Sequence, residues 1–240
     1  MEKALYYKTE DDKDMLIKFF TANDKKAPLV VFFFGGGWMN GNMDRFKPHA
    51  LELEKLGYVV AIVDYRVYSK HGTTFDYAMK DAFYALKYLS DNALELKIDI
   101  NNVFYGGGSA GGHLAIASVM FNNVKNNFNV RGLVCFNPVV DTTEKGFMSD
   151  ASTKQSFKPV VYSPYHHVTK NLPDIIIFHG TEDTVMPYQR TLEFADKYRK
   201  YGNNLEFVSY EGCKHSFHNI EEYYTDTLEK TKVFIKEHII

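Results

Sequence analysis

The chain has 240 residues, a formal net charge of −2, and 45% hydrophobic and 24% charged residues, the composition of an ordinary globular protein with enough apolar side chains for one core. Lys and Arg are scattered along it, which excludes the basic footprint that a nucleic-acid backbone requires, and no run approaches the roughly 18 consecutive apolar residues of a membrane span. Its two cysteines, Cys135 and Cys213, match neither a disulfide framework nor zinc-ligand spacing, so free thiols, no metal and no cofactor are expected. The mixed, charged segment Met1 to Tyr7 lacks the apolar stretch of a secretory leader; a cytoplasmic location is expected, or a periplasmic or secreted one if a leader has been removed.

Short β-rich runs alternate with longer helical patterns, the signature of a mostly parallel sheet with crossover helices on both faces. Leu29 to Phe34 is a continuous apolar run entering Gly35-Gly36-Gly37, as in a strand buried on both faces. Phe46, Leu51, Leu53 and Leu56 predict a helix over about 44–56, with Gly57 as its stop. A strand over Tyr58–Val63 and a helix over about 74–89 follow, the latter marked by Ala78, Ala82, Ala85 and Leu89. Val103-Phe104-Tyr105 then runs straight into Gly106-Gly107-Gly108-Ser109-Ala110-Gly111-Gly112, which opens another helix through Ala117. Strands are predicted at Gly132–Phe136, Asp174–Phe178 and Leu205–Tyr210, and helices at Tyr188–Tyr201 and Glu221–His238. The stretch over about 138–173, rich in Ser, Thr, Lys and Pro, is expected to be a lid-like insertion over the carboxyl edge of the sheet, within a single domain over 1–240.

Gly107-Gly108-Ser109-Ala110-Gly111 fits G-x-S-x-G between a strand and a helix, the setting of a nucleophile elbow. A sharp, strained turn there lifts the Ser109 hydroxyl to a helix N-terminus, where unpaired N–H groups favour negative charge. A tight packing turn or a phosphate loop is the competing reading, but the spacing fits neither dinucleotide nor Walker A patterns. Gly35-Gly36-Gly37-Trp38 suits an oxyanion hole built from the N–H groups of Gly36, Gly37 and Ala110, with Trp38 as an alternative donor to Gly36. In His179-Gly180-Thr181-Glu182-Asp183, Asp183 is the expected acid, although a turn or capping role is common for aspartate. In Gly212-Cys213-Lys214-His215-Ser216-Phe217-His218, His215 is the expected base and His218 its competitor. The order Ser109, Asp183, His215 is that of the α/β-hydrolase triad.

These four segments, GGGW, GGGSAGGH, HGTEDTVMP and GCKHSF, resemble those of bacterial esterases related to hormone-sensitive lipase, and above all the compact acetyl xylan and feruloyl esterases that act on plant polysaccharides. The resemblance runs from about Leu29 onwards. It implies an α/β-hydrolase fold and a serine carboxylesterase that forms an acyl-enzyme without a cofactor. Two departures stand out. Phe34 occupies the position before the three glycines where relatives usually carry a His that braces the oxyanion loop. Only about thirty residues precede that loop, so no N-terminal cap domain is expected, which favours short acyl groups. An acetylated carbohydrate is the expected substrate, with Trp38, Tyr65 and Tyr68 lining an open site. A peptidase or amidase with the same triad, or a non-catalytic binding protein on the same fold, are the alternatives. Expected partners are a small-molecule or oligosaccharide ester, with a homodimer left open and neither nucleic acid nor membrane involved.

Overall fold

The computed structural model describes every residue except 23, 122–123, 144 and 147–158. The chain opens with β1 (Glu2–Lys8), β2 (Asp14–Phe20) and β3 (Ala27–Phe33), followed by α1 (Lys47–Lys55), β4 (Val59–Val63), the single turn α2 (Tyr68–His71) and α3 (Phe75–Asp91). It continues through β5 (Ile98–Gly108), α4 (Ala110–Met120), β6 (Val130–Phe136), β7 (Asp174–Gly180), α5 (Tyr188–Lys200), β8 (Leu205–Tyr210) and α6 (Glu221–Glu237). The strands form one sheet in the order β1-β2-β4-β3-β5-β6-β7-β8. All pairs from β4 to β8 are parallel, whereas β1 with β2 and β2 with β4 are antiparallel.

The central strands are the apolar runs seen in the sequence, and Leu29–Phe33, Val59–Val63 and Val103–Tyr105 are buried because helices cover both faces. On one face, α1 and α6 meet through the His49 and Tyr224 rings, 4.8 Å apart; on the other, α4 lies so close to β3 that a Cβ on Gly111 would stand 2.0 Å from the Phe33 carbonyl oxygen. Helix α4 is buried almost all round, while α3 buries the stripe Ala78, Ala82, Ala85 and Leu89. This is the doubly covered, mostly parallel architecture expected of an α/β-hydrolase.

Two local features differ from expectation. The N-terminal hairpin β1–β2 was not signalled by its charged sequence. It forms because Tyr7, Met15, Ile17, Phe19 and Phe20 are buried while Tyr6, Lys8 and Asp14 face solvent and Leu16 and Lys18 are half-exposed. The predicted helix over 44–56 is split into a 3-10 turn, Met43–Phe46, and α1. Asn42 caps the turn by accepting a hydrogen bond from Asp44 N at 2.8 Å, and Pro48, which has no N–H, sits in the first turn of α1 where none is needed.

Arg66 is fully buried between β4 and α2. Its Nε and Nη2 donate to Asp81 on α3 at 2.8 and 2.6 Å, and its Nη1 donates to Asp11 in the β1–β2 turn at 2.7 Å. Of the 138–173 segment, the described part packs down on the domain. Within the segment Tyr165 N donates to Val140 O at 2.7 Å, and the segment meets the rest of the chain where the Tyr162 carbonyl lies 2.8 Å from His113 Nε2 and Arg190 Nε donates to Asp141 at 2.7 Å. The remainder of the expected lid, residues 144 and 147–158, lies outside the described residues.

Candidate active site

Four loops leave the carboxyl ends of parallel strands β3, β5, β7 and β8 and converge, the usual location of a site in an open α/β sheet. Ser109 follows β5 directly and holds φ 54°, ψ −118°, a conformation that L side chains rarely adopt. Its neighbours fix it there: Ser109 N donates to Phe136 O at 2.8 Å, and Val139 N and His113 N each donate to Ser109 O at 3.1 Å. The elbow also needs glycines for space, since a Cβ on Gly107 would lie 2.4 Å from Phe33 O. Ala110 then opens α4, so its N–H belongs to the first turn and has no acceptor within the helix.

After β3 the backbone turns through Gly36 at φ 131°, Gly37 at φ 60° and Trp38 at φ 59°. Gly36 O accepts from Met39 N at 3.1 Å and from Asn40 N at 3.2 Å, and the loop is so tight that a Cβ on Gly36 would stand 2.1 Å from Asn40 O. Phe34 does the bracing expected of the absent His by other means. Its ring stacks on Tyr65 with centroids 4.1 Å apart, and Tyr65 Oη donates to Phe34 O at 2.6 Å. That occupation also corrects an expectation, because Tyr65 is buried and does not line an open site. Trp38 is corrected likewise. It is only 2% exposed, and its positive φ turns the indole inward against Phe75 and His113, at 5.0 and 5.1 Å, away from the cleft wall.

Asp183, in the loop after β7, receives His215 Nδ1 on Oδ2 at 2.7 Å. Because the carboxylate only accepts, this nitrogen carries the proton, and Nε2 is left as the acceptor. Asn137 Nδ2 donates to the same oxygen at 2.9 Å, and Val185 N and Met186 N donate to Oδ1 at 2.9 and 2.8 Å. Burial opposes the charge of Asp183, but the His215 contact and the Met186 N–H outweigh it and hold the carboxyl below its usual range. Glu182, the neighbouring acid, instead uses its backbone N–H on Cys213 O at 3.0 Å.

His218 does not meet the acid. Its ring lies 4.7 Å from that of Phe136, and burial, followed by the charges of His49, His215 and Arg45, pushes its pKa well down, so it stays neutral. Asn137 is the member of the site that the sequence did not suggest.

Ser109 and His215 line one cleft of about 350 Å³ together with Gly35, Gly36, Gly37 and His218. Among the described residues, no hydrogen bond joins the Ser109 hydroxyl to the imidazole; such contacts commonly tighten only when substrate is bound.

The model of one protein family, BD-FAE, matches residues 15–198, which span all four loops except the one that carries His215. The chain belongs to the BD-FAE family of α/β-hydrolase esterases. Among solved structures, this BD-FAE chain is similar to Thermogutta terrifontis esterase 2 in its apo form, with 32% identity, a TM-score of 0.90, and coverage of 98% of this chain and 94% of that one. Curated relatives include the esterase LipC of Mycobacterium tuberculosis, 25% identical over 86% of this chain and 58% of its own length. Another is a probable isoprenylcysteine alpha-carbonyl methylesterase of Arabidopsis thaliana, 25% identical over 79% of this chain and 45% of its own. The chain thus spans about half the length of the curated relatives it matches.

Proposed function

We propose that the protein is a serine carboxylesterase for short-chain acyl esters, acting through Ser109, His215 and Asp183. The observation that carries this reading is the His215 Nδ1–Asp183 hydrogen bond at one end of a cleft whose wall holds Ser109 in a strained elbow. His215 Nε2 takes the proton of Ser109 Oγ as it attacks the ester carbonyl, and Asp183 orients the imidazole and stabilises its charged form. The N–H groups of Gly36, Gly37 and Ala110 receive the oxyanion. Collapse of the tetrahedral adduct breaks the bond to the alcohol, which leaves with the proton from His215. Water, deprotonated by His215, then frees the acid from Ser109.

A cleft of about 350 Å³ is at the small end of ligand sites, in keeping with a short acyl group. Thermogutta terrifontis esterase 2 has been solved with propionate and with butyrate bound, which supports the same reading. For the alcohol portion, the polar groups of Asn40, Ser216 and Asn219 on the cleft wall suit a hydroxyl-rich molecule, and an acetylated carbohydrate is the substrate class proposed.

Hydrolysis of p-nitrophenyl acetate, butyrate and octanoate by the wild type and Ser109→Ala tests the proposal. Acetate and butyrate are expected to turn over faster than octanoate, and kcat is expected to fall at least about 10⁴-fold in the variant. Equal activity in the variant would remove Ser109 as the nucleophile. Inactivity of both proteins on esters with turnover of an aminopeptide reporter would favour the amidase reading.

A further inference from the structure

Among the described residues of the cleft wall, the arginine has no part in the esterase reading. Arg45 lies in the 3-10 turn before α1, is exposed, and lines the same cleft as Ser109 and His215. Its side chain makes no hydrogen bond or ion pair among the described residues, whereas its ionic neighbours are matched: Asp44 pairs with Lys18, and Lys47 pairs with Glu2 at 2.8 Å. Among the described residues, no aspartate or glutamate lines the cleft. The charge of Arg45 also reaches inward, since it is among the influences that keep the buried His218 neutral. The cleft wall therefore carries a positive charge that no carboxylate pairs with among the described residues, Asp183 being engaged by His215, and a guanidinium is shaped to receive a carboxylate through two parallel hydrogen bonds.

We infer that Arg45 is a specificity residue that selects ester substrates bearing a carboxylate, which it pairs with beside Ser109. The inference rests on the esterase reading for its chemistry but on the cleft's charge for its content. On the alcohol side, the carboxylate would belong to an acylated acidic sugar or hydroxy acid; on the acyl side, to a half-ester of a dicarboxylic acid. No new bond-making step is involved, because Arg45 binds a part of the substrate that does not react.

Two matched substrate pairs distinguish the sources: 4-acetoxybenzoate against 4-acetoxybenzamide, and mono-4-nitrophenyl succinate against 4-nitrophenyl butyrate. The quantity read is the ratio of kcat/KM for the anionic to the neutral member. In the pair that matches the natural geometry, this ratio is expected to fall about fivefold in Arg45→Ala, mainly through KM. It should fall further in Arg45→Glu, recover largely in Arg45→Lys, and shrink in the wild type as salt is raised. Ratios that are the same in wild type and variants for both pairs would overturn the inference. Calorimetry of 4-acetamidobenzoate, a non-ester analogue, on Ser109→Ala with and without Arg45→Ala gives an arm independent of turnover. Weakening of about fivefold supports Arg45 even if no ester is hydrolysed, a result that would sink only the esterase reading; equal binding together with an unchanged ratio in the succinate pair overturns Arg45 even if esters turn over.

Discussion

Phe34 and Tyr65 show how a site can keep its geometry after losing the usual residue. The stacked rings and the Tyr65 Oη to Phe34 O bond tie β3 to the chain after β4 immediately before the glycine loop. Tyr65→Phe keeps the stack and removes the bond. It should lower stability by about 1 kcal/mol in urea unfolding and reduce kcat for p-nitrophenyl acetate more than it changes KM, because the loop would lose its anchor; an unaltered kcat would show that the loop is held from elsewhere. At this scale the sequence was informative where chemistry demands a rare residue pattern. The expectation that Ser109, Asp183 and His215 act together rested on spacing and chain order; the structure joins His215 to Asp183 and places Ser109 and His215 on one cleft. Asn137 could not be anticipated, since an asparagine after a strand reads as an ordinary turn residue, yet its amide holds Asp183 and its φ is 44°. Trp38 was misplaced because a glycine-rich motif says nothing about which way the next side chain turns; the backbone at φ 59° decides that.

Among the elements, the β3–β5–α4 junction tolerates least. Gly111→Ala would drive a methyl to 2.0 Å from Phe33 O, so the helix and the strand cannot both stay in place. A loss of about 3 kcal/mol is expected. Gly57→Ala serves as the control: its φ of 89° is strained for alanine but nothing lies within 4 Å of the added carbon, and about 1 kcal/mol is expected. Equal losses for the two in urea titrations would refute the steric account. The central strands and the long helices were legible because burial on both faces leaves unbroken apolar runs, and burial on one leaves a stripe. The β1–β2 hairpin was not, since β1 is an edge strand with most of its residues exposed and a charged sequence.

For the molecule as a whole, buried neutral histidines set the response to acid. Burial lowers His49 to about 3, and burial, partly offset by the hydrogen bond with the Tyr162 carbonyl, lowers His113 to about 4. Burial likewise lowers His179 and His218. Each binds its proton more readily once unfolded, so stability is full above the unfolded value of about 6.5 and declines as pH falls towards the folded value. For His49 alone the loss between pH 7 and 5 is about 2 kcal/mol. His49→Phe, placed among the rings of Phe32, Phe46, Phe136 and Tyr224, should reduce the pH 7-to-5 drop in urea-measured stability by that amount; an undiminished drop would show that folding does not lower the affinity of His49 for its proton. Asp183, whose carboxyl is lowered, adds stability that is present above about pH 4 and vanishes as its folded value is passed from above.

The sheet order has a consequence for the protein's own synthesis. Gly36, Gly37 and Ser109 come from strands at the centre, but Asp183 and His215 follow the last two strands, and His215 leaves β8, the outermost. A nascent chain can bury β3, β4 and β5 against one another while its hydroxyl has neither base nor acid. Asp183 and His215 can meet only once β8 has docked beside β7, so while the central strands assemble the growing polypeptide exposes its hydroxyl without base or acid.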